Sequence, residues 1–161
     1  MNGDSAEARR PSDLPRYAGE AEFLRSITEL ETAILDACSA PRDWPAQIAA
    51  GVYAGIDFVV GNPDAAQTLT MAAGSASEYR GRYESLVGRL AGFLRVRAPH
   101  DQRLPVSTDE AVVAGVVGLV GDHVRIGRLD RLAELRPDLV LLTLLPYLGF
   151  AEAQRWANTG N

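Results

Sequence analysis

A chain of 161 residues that is 47% hydrophobic is long enough to bury one sizeable core, which argues for a single domain. The formal net charge is -5, all 16 basic residues are Arg, and the one clear basic cluster is Arg9-Arg10 with Arg16; the basic stripe that displaces counterions from nucleic-acid phosphates is missing. Cys38 is alone, so no intrachain disulfide is available, and neither a signal-type apolar segment nor a run of roughly 18 apolar residues occurs, so a cytoplasmic protein outside the membrane is expected.

Residues 1–16 are polar, carry Pro11 and Pro15, and read as a disordered tail. Phe23, Ile27, Leu30, Ile34 and Cys38 then recur at alternating four- and three-residue steps, which predicts an amphipathic helix ending before Pro41. Asp43-Trp44-Pro45 opens a second helix, with proline in the first turn where its missing N–H is harmless. From 46 to 60 only Gln47 and Asp57 are strongly polar, so this helix should run through the middle of the domain. Gly61 at the left-handed C′ position, Asn62 as cap and Pro63 as the next start would end it.

A short helix is expected over 63–73. Ser75 and Glu78 form a capping box, and the helix they start carries Tyr79, Tyr83, Leu86, Leu90 and Phe93 at helical spacing before Pro99. Gly81, Gly88 and Gly92 inside it suggest close backbone packing. After a loop with two prolines, Ser107 and Glu110 form a second capping box that launches a Val- and Gly-rich helix closed by Gly127. Ala111, Ala114, Gly115, Gly118 and Gly121 make a small-residue stripe along it, the kind that lets another helix come close.

A turn of helix over 130–135 precedes a last, strongly apolar helix over 139–156, in which Pro146 removes one backbone donor and should cause a kink. Residues 158–161 form a short tail. The prediction is all-α: six or seven helices in one domain over 17–157, with no strand and no internal repeat.

Chemistry is sparse in this pattern. His100 and His123 lack the partners at i+3 or i+4 that would make a helical metal site, and no nucleophile elbow, phosphate loop, dinucleotide fingerprint or Cys-x-x-Cys occurs. No metal, cofactor or enzymatic activity is expected. Asp57 stands out as a carboxylate in an apolar helix, which demands a structural partner such as an Arg or a place in a ligand pocket. Tyr53, Met71, Tyr79, Tyr83 and His123 are the other candidate ligand-binding residues, each weighed against a plain core or surface role.

The order of elements carries a resemblance. Trp44 before a long apolar helix, the ending Gly61-Asn62-Pro63-Asp64-Ala65-Ala66, a Tyr-rich helix, a Val/Gly helix and a last helix with Pro146-Tyr147-Leu148-Gly149-Phe150-Ala151-Glu152-Ala153 together resemble the effector-binding and dimerisation domain of TetR-family transcriptional regulators over residues 20–157. The resemblance implies a ligand pocket for a small, largely apolar effector among the middle helices. It also implies a homodimer made by the last two long helices as a four-helix bundle, with Ala114, Gly118, Leu145 and Gly149 at the interface. The family's N-terminal helix-turn-helix reader has no counterpart in these residues, so no direct DNA binding by this chain is expected. Were that gap natural, a heterodimer with a full-length paralogue would be a further partner. The alternative reading is a helical protein-interaction module with no small-molecule ligand.

Overall fold

The structure, a computed structural model, describes residues 14–74 and 77–159, with side chains described over 19–71 and 80–159. Among the described residues there is no strand, and the chain forms eight α-helices: α1 (Leu14–Ser39), α2 (Trp44–Gly61), α3 (Pro63–Gly74), α4 (Ser77–Arg97), α5 (Val106–Arg125), α6 (Leu129–Leu132), α7 (Arg136–Leu148) and α8 (Phe150–Asn158). A short 3-10 turn, His100–Gln102, bridges α4 and α5. Helix α1 thus starts inside the stretch expected as tail, while residues 1–13 and the Ser75 half of the first capping box lie outside the described residues.

Side-chain pairing shows how the long helices run. Ile34 sits against Gly55 and Cys38 against Gly51, so α1 and α2 are antiparallel. Glu20 pairs with Arg82 at 3.6 Å and Glu31 with Arg89 at 2.6 Å, so α4 runs in the direction of α1. Val112 joins the core cluster of Trp44 and Ile48, whereas Val116, Val120 and Val124 pack near Ile56 and Val59, so α5 follows α2. Helices α1 and α4 thus run one way and α2 and α5 the other. Helix α3 lies across the end where Ala66 and Leu69 pack, and α7 with α8 covers the flank of α2 and α5.

One end of this bundle is held by a buried polar cluster. Asp109, 1% exposed, accepts a hydrogen bond from Tyr147 Oη at 2.5 Å and one from Arg95 Nη1 at 3.1 Å, so a single carboxylate joins α4, α5 and α7. The same Arg95 nitrogen donates to the Leu104 carbonyl at 2.6 Å, and the Trp44 ring meets Tyr147 edge-on at 5.3 Å. Burial and the hydrogen bond to Asp109 push the Tyr147 phenol well above its ordinary pKa.

Four sequence expectations are corrected. The second capping box does not form: α5 begins after Pro105, so Ser107 already lies inside the first turn and no side chain caps the helix. Gly61 is the last helical residue of α2, and Asn62 caps the turn through its backbone N–H and its side-chain amide, both to the Phe58 carbonyl at 2.9 Å. The glycines of α4 do not mediate close packing, since a Cβ added at Gly81, Gly88 or Gly92 meets nothing within 4 Å. The last apolar helix is two helices rather than one kinked one: Pro146 is accommodated within α7, and the break falls at Gly149, with φ of 72° and ψ of 169°. Pro146 leaves the Leu142 carbonyl without its helical donor only near the end of α7, where termination follows within one turn.

Two outcomes follow from this geometry. Gly149→Ala places a Cβ in backbone space that is nearly exclusive to glycine and should lower stability by about 1–3 kcal/mol in urea denaturation, with an unchanged midpoint counting against the break at Gly149. Tyr147 binds its proton more tightly folded than unfolded, so its contribution is complete below pH 10 and is lost as pH rises above that value. Tyr147→Phe should therefore cost about 1–3 kcal/mol at neutral pH and make the alkaline fall in stability shallower; a fall as steep as in the parent protein would remove Tyr147 from it.

Candidate functional site

The four long helices α1, α2, α4 and α5 do not fill the space between them. They leave a cavity of about 410 Å³ that opens to the surface, within the ordinary range for small-molecule sites. Helix α1 turns Ile27, Leu30, Ile34 and Cys38 into it, the same stripe that the periodicity marks as buried. Helix α5 supplies Val113, Val116, Val117, Val120 and Val124, β-branched side chains with little rotamer freedom that give stiff walls. Leu86, Leu90 and Phe93 of α4, Val52 and Ile56 of α2 and Leu69 of α3 complete most of the remaining surface.

Polar groups in this lining are few and mostly occupied. Thr70 donates to the Ala66 carbonyl and Thr143 to the Leu139 carbonyl, both at 2.7 Å, so each hydroxyl turns its donor back on its own helix. Tyr83 brings a phenol whose pKa is raised by burial, and the Cys38 thiol is likewise raised by burial, partly offset by the charge of Arg97 and a backbone hydrogen bond from Gly51. Asp122 and Arg125, paired with each other, lie at the rim with side chains 60% and 65% exposed. The interior therefore offers apolar contact and no unpaired charge.

The six candidate ligand residues fall in different places. Tyr83 lines the cavity. Tyr53 is half-buried beside the Trp44 cluster, with the Arg136 guanidinium 5.6 Å over its ring. Asp57 is ion-paired with Arg136 across α2 and α7 and its side chain is 61% exposed, so the carboxylate that seemed stranded in an apolar helix points outward to an Arg. Met71 is 69% exposed on α3, and the Tyr79 side chain lies outside the described residues. His123 is half-buried near the end of α5, its Nδ1 3.0 Å from the Leu119 carbonyl, beside an open polar depression with Arg128 and Glu134.

The residues expected at a dimer interface, Ala114, Gly118, Leu145 and Gly149, are all exposed, and Gly118 also borders the cavity. No other helix of the described chain comes against the small-residue stripe: a Cβ added at Gly115 or Gly118 meets nothing within 4 Å. Leu119, on the same helix, is 45% exposed, and Phe150 on α8 is 61% exposed.

Residues that build the cavity wall carry little sign of it in the sequence, above all Gly51 and Gly55. Their spacing of four on α2 is the available signal, since it puts both on one face where α1 approaches. Among the described residues no group of three His, Cys, Asp or Glu side chains is placed to hold a metal ion, and no helix is long and apolar enough to cross a membrane. The chain matches no family model, no curated protein and no solved structure.

The α1–α2 contact that shapes the wall is directly testable. A Cβ at Gly51 would stand 2.5 Å from Cys38 Sγ, so Gly51→Ala should destabilise by about 1–3 kcal/mol, and adding Cys38→Ala should recover most of the loss. Additive losses in the double variant, read by thermal denaturation, would show that the two residues do not touch.

Proposed function

We propose that this chain is the ligand-sensing and dimerisation domain of a TetR-like regulator, binding a small, largely apolar effector in the cavity between α1, α2, α4 and α5. The observation that carries the reading is the cavity itself. A space of about 410 Å³ walled almost wholly by apolar side chains leaves that surface to water when nothing fills it. A fold that keeps such a space, open at an exposed rim, gains free energy when an apolar molecule fills it. Buried apolar surface contributes about 25 cal/mol per Å² to that gain.

The assembly half of the proposal rests on what stays uncovered. Ala114, Gly115, Gly118 and Leu119 follow one another along a face of α5 that no described helix covers, and Leu145 and Phe150 are exposed on the neighbouring α7 and α8. Small residues let a helix of a second copy approach, and a two-fold axis would bring the same face of each protomer together. Gly118 belongs both to that face and to the cavity border, so occupancy of the cavity and the spacing of two protomers would be coupled through one helix. A net charge of -5 gives this chain no electrostatic reason to bind DNA by itself.

Sedimentation and dye uptake test the two halves separately. The protein should sediment as a dimer, and Leu119→Glu should convert it to a folded monomer, because two carboxylates would be desolvated face to face. Nile red should brighten on mixing with the parent protein and bind at least tenfold more weakly to Val117→Trp, whose indole obstructs the cavity. A monomer that takes up no dye would overturn the reading in favour of a helical protein-interaction module with no small-molecule ligand.

A further inference from the structure

The polar side chains that line the cavity differ in what already holds them. Thr70 and Thr143 spend their hydroxyl hydrogens on carbonyls of their own helices, and Asp122 and Arg125 pair with each other at the exposed rim. The Cys38 thiol, a weak donor, is packed against Gly51 where α1 approaches α2. Tyr83 is the exception. Among the described residues its phenol has no hydrogen-bond or ionic partner, and its oxygen is not sealed in protein as the side-chain oxygen of Gln102 is.

Tyr83 opens the stripe of Leu86, Leu90 and Phe93 by which α4 faces the cavity. Leu86, less than one turn on, packs with Phe23, Ile27 and Leu69, so Tyr83 stands at the α3 end, while Cys38, Ile48 and Leu94 line the opposite end. Burial raises the pKa of the phenol, so at neutral pH it keeps its hydrogen and acts as a donor. An apolar molecule that enters the cavity displaces water from that hydroxyl, and a donor left without an acceptor offsets much of what apolar burial contributes. A charged ligand fares worse, because the lining offers no free counter-charge. An uncharged accepting oxygen meets both conditions. A carbonyl does so most simply, since it brings no hydrogen that needs a partner of its own.

We propose that the effector is an uncharged, mostly hydrocarbon molecule with one carbonyl group, a ketone or simple ester, and that Tyr83 selects it by donating its hydroxyl hydrogen to the carbonyl oxygen at the α3 end of the cavity. This assignment rests on the sensor reading, which the uptake of Nile red tests by itself. Acetophenone and α-methylstyrene are the probes, molecules of the same shape in which the carbonyl oxygen of the first is a methylene in the second. Each is titrated calorimetrically into the parent protein and into Tyr83→Phe, which keeps the ring and removes only the oxygen. The variant should bind acetophenone about three- to tenfold more weakly, the worth of one neutral hydrogen bond, and α-methylstyrene no more weakly than the parent does. In infrared difference spectra the carbonyl stretch of bound acetophenone should lie lower in the parent protein than in the variant, a displacement that lost packing alone does not produce.

Absence of acetophenone binding, equal weakening of both probes, an unchanged ketone affinity or the same carbonyl stretch in both proteins would overturn the role of Tyr83. Tighter binding of benzoate than of acetophenone by the parent protein would overturn the uncharged class. If any of these results comes with normal Nile red uptake, the apolar sensor cavity stands and only the chemistry of its ligand changes; with no dye uptake by the parent protein, both readings fall.

Discussion

A carboxylate removed from water has to be met by donors, and in this chain that requirement organises one end of the bundle. Asp109 is reached by a phenol from α7 and a guanidinium from α4, and Trp44 of α2 packs on the phenol. Replacing such a cluster with apolar side chains need not weaken a fold; what it contributes is a defined register, because only one placement of the helices satisfies the charge. Away from this point the helices meet through apolar contact, edged by the ion pairs Glu20–Arg82, Glu31–Arg89 and Asp57–Arg136. That contact is uneven. Around Trp44, Leu144 and Val140 it is dense, whereas farther along the helices the stiff valines of α5 and the stripe of α1 face each other without meeting.

Uneven packing separates two jobs within one bundle. The Asp109 end and the α7–α8 flank are densely packed, while the space between α1, α2, α4 and α5 is left unfilled. Close approach of α1 to α2 at Gly51 and Gly55 keeps one wall thin, and α3 caps the end near Ala66 and Leu69. Helix α5 has three roles. Its inner face lines the cavity, its first turn anchors Asp109, and its outer face of alanine, glycine and Leu119 is left bare. Movement of α5 in response to a bound molecule would be felt at that bare face, which is the physical link between sensing and assembly in the proposed function.

Much of the fold is legible in the sequence because helical periodicity and punctuation are local. The Phe23 to Cys38 stripe, the Pro45 start of α2 and the closing Gly127, with φ of 72°, all read directly from residue order. The site is less legible, since aromatic and charged residues at helical spacing do not announce which side of a bundle they face. Tyr83 and Tyr53 look alike in sequence, yet one lines the cavity and the other lies under Arg136. Asp57 stands out as a lone carboxylate, but its partner is 79 residues away, and nothing beside Asp109 in the sequence marks Arg95 and Tyr147 as its partners. The cavity itself is an absence of contact between elements, a property that periodicity along any one of them does not encode.

Native mass spectrometry of the freshly purified protein tests the central claim most directly, since one spectrum reports both assembly and any small molecule retained from the expressing cell. The expected result is a dimer carrying added mass that is lost under organic denaturation. A bare monomer would contradict the claim, leaving the exposed face of α5 without a second copy and the cavity without an occupant.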